Sequence, residues 1–156
     1  MTILKYLSGL AAVFLVTIAP MIVKAEDICM ESSDRAETYV SAFVDGVARK
    51  KTIGEEDIKE LIRALAVEPD IYEIRVTAGI GHPVPGGGSY FVNLEHEQIM
   101  TAMAGGEKVC LNEGDTVTVR AAVISPSVFS RITGIYDTPE KREARSIRMG
   151  CRVGRS

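Results

Sequence analysis

The fold is decided by residues 7–48, LSGLAAVFLVTIAPMIVKAEDICMESSDRAETYVSAFVDGVA. The first part of this stretch, from Leu7 to Val23, carries no charged side chain, and a single cation, Lys5, lies among the six residues before it. About 17 residues compatible with lipid reach the lower limit for crossing a hydrocarbon core of roughly 30 Å. Residues 1–25 are therefore predicted to form a hydrophobic signal or membrane-anchor segment.

The second part of the stretch has the periodicity of an amphipathic helix. Charged residues such as Asp34, Arg35 and Asp45 alternate with apolar residues at helical spacing, which are Ala36, Tyr39, Val40, Phe43, Val44 and Val47. No turn signal separates Val23 from Val47. The sequence thus predicts one nearly continuous helix from about residue 7 to about residue 48, with Phe43 in the core of the soluble part.

Two fates of the hydrophobic segment are open at this point. Cleavage after Ala25 has support, because Pro20 lies near the end of the run and Val23-Lys24-Ala25 places modest side chains at the positions that a signal peptidase reads. Continuity with the amphipathic helix favours retention as an anchor. The choice decides whether the rest of the chain is tethered or released.

Residues 26–156 have the length and the mildly acidic composition of one exported α+β domain. The net charge of −3 argues against nucleic acid as a partner, since binding to phosphates needs concentrated lysine and arginine. Basic residues do gather near the end of the chain, and we interpret them as a solvated face and tail: Lys141, Arg142, Arg145, Arg148, Arg152 and Arg155.

A second helix is predicted after residue 51. Thr52 followed by Glu55 matches a capping box, in which a hydroxyl and a carboxylate bind the unpaired amides of a helix start. Pro69 cannot continue this helix. Its predicted buried stripe consists of Ile58, Leu61, Ile62 and Leu65.

Strands dominate the second half of the sequence. Residues 72–78 alternate as in a half-buried strand, residues 79–89 are rich in glycine and proline and predict a loop, and residues 109–123 predict a hairpin with its turn at residues 112–115. The remaining predictions are a short strand at 90–94, helices at 95–104 and 125–132, a charged connector at 137–145 and a closing edge strand at 147–153. Helices first and antiparallel strands later indicate an α+β fold: a long N-terminal hydrophobic-then-amphipathic helix followed by a small antiparallel β-sheet with short helices.

No pattern of catalytic or ligand-binding residues emerges. The glycines of residues 79–89 lack the lysine of a P-loop and are followed by strand-like residues rather than a helix. His96-Glu97 is not followed by the second histidine of a helical zinc site, and the only other histidine is His82. We therefore predict no enzymatic activity, no catalytic residue, no cofactor, no metal and no small-molecule substrate.

The three cysteines are too few for a disulfide scaffold and have no CxxC spacing. Cys110 and Cys151 both fall in strand-like segments, so a bridge between them is one possibility outside the cytoplasm, with Cys29 left over. Three small unpaired residues are the alternative.

The organisation resembles that of type IV pilins, and local stretches resemble TadE-like minor pilins of tight-adherence pilus systems. The stretches that carry the resemblance are YVSAFVDGVARKK (39–51), IGEED (53–57), DIYEI (70–74), LNEGD (111–115), SPS (125–127) and IRMGCRV (147–153). They are spread over most of the chain. The sequence departs from pilins at the peptidase signal, because the first glutamate after Gly9 is Glu26.

The resemblance implies a non-enzymatic subunit that takes part in assembly of a pilus or secretion-type structure. It implies a single-pass protein of the cytoplasmic membrane, with residues 26–156 on the outer side. Its expected partners are the membrane and other pilin-like subunits, which it would contact through the N-terminal helix, where Gly9, Ala11 and Ala12 permit close approach. The alternative is a secreted or periplasmic soluble binding domain with a cleaved signal peptide.

Overall fold

A computed structural model describes residues 2–86, 88–135 and 138–154, with side chains from residue 8 onward. The order of elements is α1 (Thr2–Lys50), β1 (Thr52–Ile53), α2 (Glu55–Leu65), β2 (Ile71–Pro83), β3 (Ser89–Leu94), α3 (His96–Ala104), β4 (Val109–Cys110), β5 (Thr116–Ser125), α4 (Val128–Ile132), α5 (Pro139–Ala144) and β6 (Ile147–Arg152). The predicted fold class is confirmed: a long N-terminal apolar helix precedes antiparallel sheets and short helices in an α+β arrangement.

The predicted continuous helix is confirmed as α1, which has 49 residues and a length of about 74 Å at 1.5 Å per residue. It continues through Pro20, although proline has no N–H for the carbonyl of Val16. It ends where Lys51 adopts a left-handed conformation with φ 54°. The amide of Lys51 still donates to the carbonyl of Val47 at 2.8 Å, after which the chain turns into β1.

The main sheet has four antiparallel strands in the order β3-β2-β5-β6. Alternate residues of β5 face the core, as the period of a strand requires: Val117, Val119, Ala121 and Val123 are buried. The C-terminal half of α1 packs on this face together with α2, and Phe43 is buried there as predicted. The short strands β1 and β4 form a separate antiparallel pair.

Three elements of the second half are confirmed. The helix predicted at residues 95–104 is α3, and the one predicted at 125–132 is α4, which begins later, at Val128, with Ser127 as its N-cap. The closing edge strand is β6, which pairs on one side with β5. Each of these elements has a local signal, either a helix cap or a period of two, that does not depend on distant residues.

The loop predicted at residues 79–89 is wrong in part. β2 continues to Pro83 and pairs with β3, and the connection is reduced to residues 84–88, of which Gly87 lies outside the described residues. Gly86 and Gly88, with φ of 111° and 122°, belong to the remaining turn, whereas Gly79 has a packing reason. A Cβ at Gly79 would lie 2.5 Å from the Thr116 hydroxyl, so only glycine allows β2 to lie this close to β5.

The predicted hairpin over residues 109–123 is also wrong. The turn exists, because the Asp115 carboxylate accepts the Asn112 amide at 2.6 Å. However, β4 pairs with β1, whereas β5 inserts between β2 and β6. Pairing with two long strands buries more apolar surface than pairing with the two residues of β4.

Two helix details are corrected. α2 is capped by Gly54 and Asp57 rather than by Thr52 and Glu55: Thr52 belongs to β1, and the Asp57 carboxylate accepts the Gly54 amide at 3.0 Å. Ile62 is exposed, while the other three residues of the predicted stripe are buried. The predicted connector contains α5, and its first residue, Asp137, lies outside the described residues.

The bridge considered between Cys110 and Cys151 is not formed, and all three cysteines are free. Cys110 lies on the small β1–β4 pair, whereas Cys151 lies on β6 and points its thiol at the Val44 carbonyl, 3.7 Å away. Burial raises the pKa of the Cys151 thiol, and the Asp45 carboxylate raises it further. Because the thiolate is the reactive form, Cys151 is a packing residue rather than a nucleophile.

Candidate functional site

The first candidate site is the exposed apolar part of α1, residues 8–23, which we call the apolar segment. Its large side chains lie in solvent on every side of the helix, from Leu10 at 76 % exposure to Val23 at 58 %. A helix of a soluble domain buries one stripe, whereas a helix that is apolar all round is typical of a membrane span. α1 is long and apolar enough to cross a membrane or to act as a signal sequence.

The domain begins to contact α1 at Ala25. From this residue onward one face of the helix is buried at spacings of three and four residues, through Ala25, Cys29, Ser32, Ala36 and Val40. Lys24 is exposed immediately before it. The helix therefore changes from exposed to packed between Lys24 and Ala25.

A buried polar cluster, which we call the junction, holds α1 to the domain at this level. It consists of Cys29, Asp70, Ser127 and Ser130. The Ser130 hydroxyl donates to the Asp70 carboxylate, at 2.8 Å from Oδ1 and 2.9 Å from Oδ2. With its only proton used, Ser130 Oγ accepts from the Ser127 hydroxyl at 3.1 Å and from the Cys29 thiol at 3.4 Å.

Asp70 also binds the backbone, since its Oδ1 accepts the Ser127 amide at 2.6 Å. The junction thereby connects α1, the start of β2 and the start of α4. It contains two serines, a cysteine and a carboxylate, but no histidine; Cys29, Asp70 and Ser130 are buried, and Ser127 is half-buried. The cluster therefore has a structural role: its hydrogen bonds hold three elements together, and it lacks the histidine base of a nucleophilic centre.

A second polar contact lies at Arg35, six residues further along α1 than Cys29. The Arg35 guanidinium donates Nε to Glu68 Oε1 at 3.0 Å and Nη2 to Glu68 Oε2 at 3.1 Å, which is the bidentate geometry of a strong charge-assisted pair. The Glu68 side chain is buried while Arg35 is half exposed. This hydrogen bond raises the pKa of Arg35. The segment between α2 and β2 is therefore fixed to α1 at two successive levels.

The two histidines occupy separate places and have structural partners. His96 Nδ1 accepts the Val76 amide at 3.3 Å, and His82 stacks on Tyr90 with ring centroids 5.2 Å apart. Within the described residues, no three histidine, cysteine, aspartate or glutamate side chains converge on a point that fits a metal ion. The acidic start of α2 is used locally, in the Asp57 cap and in the Glu55–Lys59 and Glu56–Arg63 ion pairs.

The second candidate site is the end of the β2–β3 hairpin, residues 80–92, which we call the hairpin arm. β5 pairs with β2 only as far as Gly79, so the arm extends beyond the sheet as a two-stranded ribbon. Phe91 is 50 % exposed on the edge strand β3, and its exposed apolar neighbours are Val84, Tyr90 and Val92. Apolar side chains on a sheet edge are typical of a surface that another protein covers.

The base of the arm is fixed to the domain. The carboxylate of Asp115, which is almost fully buried, accepts the Gly81 amide at 2.8 Å as well as the Asn112 amide. One side chain thus orients both the turn before β5 and the ribbon that leaves the sheet. Sequence reasoning placed Asp115 in a turn and missed this second role, because Gly81 is distant in sequence.

A largely apolar groove of about 390 Å³ lies between α2, β2 and α3, near the junction. Its polar lining groups are already engaged: Glu68 binds Arg35, Asp70 binds Ser127 and Ser130, and His96 accepts the Val76 amide. A small-molecule site needs a few polar groups that are available to orient the ligand. The groove therefore gives little support to a small-molecule function.

Comparisons with protein-family models, with curated proteins and with solved structures give no match.

Proposed function

We propose that this protein is a non-enzymatic, membrane-anchored, pilin-like subunit that takes part in assembly of a pilus or secretion-type structure. The observation that carries the proposal is the dual use of α1. The same uninterrupted helix leaves the apolar segment exposed and supplies the central face of the domain core. In this proposal the apolar segment spans the cytoplasmic membrane, and residues 26–156 lie on its outer side.

The continuity of α1 favours an anchor over a signal that is removed. Ala25, the residue before the alternative cleavage point, is buried in the packed face of α1 at 3 % exposure. The bidentate Arg35–Glu68 pair and the junction hold the following turns against the domain. Any force or movement of the apolar segment is therefore transmitted to the domain through a rigid helix rather than through a linker.

The apolar segment also has a surface for helix association. Gly9 and Ala12 are separated by about 60° around the helix, whereas Ala11 lies about 160° from Gly9, at 3.6 residues per turn. A Cβ at Gly9 would meet no atom of the described residues within 4 Å, so none of them gives this glycine a packing reason. Small residues allow close approach of helices in a membrane, and Gly9 with Ala12 marks the side on which a neighbouring subunit would pack.

The hairpin arm supports an assembly role independently of the helix. An exposed apolar edge strand is a liability for a monomer, and monomeric proteins usually protect such edges with charge or a bulge. Here the outward edge is β3, with Phe91 and Tyr90 exposed and no lysine or arginine within the strand. A subunit that is covered by a neighbour after assembly has no need of such protection.

The proposal is tested in cells by membrane fractionation together with cross-linking between neighbouring subunits. We expect Gly9→Leu and Ala12→Leu to remain in the membrane fraction, because both raise hydrophobicity, and to lose cross-links. Ala11→Leu is the matched control: it adds comparable volume on the other side of the helix and should keep its cross-links. Equal cross-linking in all three variants would contradict packing through this face.

The alternative of a secreted or periplasmic binding domain is decided by mass spectrometry of the mature protein. An intact apolar segment on the membrane-bound protein supports the anchor. A wild-type protein that begins at Glu26 and occurs only in the soluble exported fraction would overturn the proposal and leave the binding domain in its place.

A further inference from the structure

The short helix α4 lies close to the end of the apolar segment. Its residue Ser130 contacts Cys29 of α1 through the 3.4 Å hydrogen bond of the junction. Cys29 follows Val23, the last residue of the apolar segment, by six positions, which is about 9 Å along the axis of α1. If the apolar segment spans a bilayer, α4 is held at the level of the lipid headgroups.

The outward side of α4 is unusually apolar for a water-exposed helix. Ser130 faces the junction and is fully buried, whereas Val128, Phe129 and Ile132 are exposed by 69 %, 41 % and 55 %. Positions i, i+1 and i+4 lie on one side of a helix. Three exposed large hydrophobic residues on a helix of five residues form a continuous apolar face.

Apolar side chains continue beyond α4 at the same end of the domain. Ile71, at the start of β2, pairs with Ser125, at the end of β5, and Ile124 lies in the register irregularity beside them. Both isoleucines are more than half exposed. They are adjacent in sequence to Asp70 and Ser125, so the junction places them on the side of the domain from which the apolar segment leaves.

The charges around α4 are mixed. Lys24 on α1 and Arg131 on α4 are exposed, and so are Glu26 and Asp27 on the next turn of α1. A further cation, Lys141, donates to the Gly134 carbonyl just after α4 at 3.0 Å. Cations and anions are thus interspersed here and do not form a strongly basic patch for an anionic surface. The affinity of this end of the domain for a membrane would come from burial of apolar area, which neutral lipids provide equally well.

We propose that α4 is an interfacial helix, whose face of Val128, Phe129 and Ile132 inserts at the boundary between headgroups and acyl chains of the bilayer that holds the apolar segment. This inference rests on the proposed membrane anchoring and adds a second point of attachment. A single spanning helix leaves the domain free to tilt and rotate about its axis. Attachment through α4 fixes its orientation and directs the hairpin arm away from the membrane.

The direction of the arm follows from β2, which starts beside the junction and has 13 residues, a rise of about 43 Å at 3.3 Å per residue. Its far end carries the arm. A probe on the arm is therefore remote from lipid under the proposal, whereas a probe on α4 is in contact with it.

The experiment uses tryptophan fluorescence, because the sequence contains no tryptophan. The full-length chain is reconstituted in phosphatidylcholine vesicles with brominated acyl chains, and three single variants are compared: Phe129→Trp on α4, Leu15→Trp in the apolar segment and Tyr90→Trp on the arm. We expect bromine to remove most of the emission of the first two and to leave the third unchanged. Circular dichroism establishes that each variant has the wild-type helix content.

The outcomes separate this inference from the proposed function. Quenching at Leu15→Trp without quenching at Phe129→Trp would overturn the interfacial role of α4 and leave the anchor intact. No quenching at Leu15→Trp would overturn the anchor and the inference together. A blue-shifted, unquenched Phe129→Trp would place α4 against another protein and overturn the lipid contact.

A second substitution tests whether the apolar face causes the contact. Ile132→Glu, introduced into the Phe129→Trp chain, puts a charge on the inserting side without touching the buried Ser130, and should restore most of the lost emission. Arg131→Glu is the matched control: because neutral lipids suffice, it should leave the quenching unchanged. Loss of quenching in the control alone would show that charge rather than apolar burial attaches α4, and would contradict the inference.

Discussion

Ser32 is the least satisfied polar residue on the packed face of α1. It is fully buried, and its hydroxyl has no hydrogen-bond partner. A buried polar group without a partner costs about 1 to 3 kcal/mol, and alanine also has a higher helix propensity than serine. We therefore expect Ser32→Ala to raise the free energy of unfolding by about 1 kcal/mol or more, as measured by urea denaturation.

Ser41→Ala is the control for this substitution. Ser41 is only half buried on the same helix, so its replacement gains helix propensity without removing an unsatisfied group. A stabilisation of Ser32→Ala no larger than that of Ser41→Ala would mean that the Ser32 hydroxyl costs nothing. A destabilised Ser32→Ala would mean that it has a partner in the native protein.

Single residues also show where sequence reasoning stops. The stretch Ser125-Pro126-Ser127 was predicted to start a helix from local sequence alone. Asp70 was not recognised as the partner of Ser127, nor Cys29 as the partner of Ser130, because these pairs are 57 and 101 positions apart. No local sequence pattern predicts that an aspartate before a strand and a cysteine on an amphipathic helix share a hydrogen-bond network. Only the packing of α1 on α4 brings them together.

At the scale of the element, the end of α1 offers a direct test. Lys51 is the only non-glycine residue with a positive φ among the described residues, and it occupies the position after a helix where glycine is favoured. We expect Lys51→Gly to raise the free energy of unfolding by about 1 kcal/mol, because a left-handed L-residue costs about that much. The exposed ion pair with Glu113, at 3.6 Å, contributes little.

The neighbouring lysine is the matched control. Lys50 is the last residue of α1, and glycine there should destabilise by about 1 kcal/mol, since it loosens a helical turn. If the left-handed conformation of Lys51 ends α1, glycine should raise the free energy of unfolding at position 51 and lower it at position 50. Stabilisation or destabilisation of both variants in urea titrations would show that α1 ends elsewhere.

The elements differ in how far local sequence determines them. α1, α2, α3 and β6 follow from periodicity, and their bounds were predicted to within about five residues, although the cap predicted for α2 was wrong. The β2–β3 hairpin was missed because Gly79 normally signals a loop, whereas here it allows close approach to Thr116. The false hairpin at residues 109–123 had a correct turn, and the error was in its pairing, which is decided by distant strands.

At the scale of the whole molecule, the two candidate sites lie at opposite ends. The apolar segment leaves the domain beside the junction, and the hairpin arm projects from the far end of β2. The fold class could be predicted because each layer has its own pattern in the sequence. The sheet order and the position of the arm could not, since they depend on register between strands that are far apart in the chain.

The exposed and the packed parts of α1 meet between Lys24 and Ala25, so truncation there should leave the domain intact. Side chains of the apolar segment are mostly exposed, and the packed face begins at Ala25. A chain of residues 24–156 should therefore keep the thermal midpoint of the full-length protein in detergent. Its new first turn contains Glu26 and Asp27, which favour a helix N-terminus, so α1 should begin there without the apolar segment.

A shorter chain of residues 30–156 is the matched comparison. It lacks Ala25 and the Cys29 thiol that binds Ser130, and we expect it to lose about 2 kcal/mol through the exposed cavity and the broken hydrogen bond. Size-exclusion chromatography of the longer chain also tests which part of the protein holds subunits together. If subunits associate through the apolar segment, residues 24–156 elute as a monomer; a stable oligomer would place the principal contact on the hairpin arm instead. A midpoint that falls equally in both chains would mean that the apolar segment belongs to the folded core, which the exposure of its side chains contradicts.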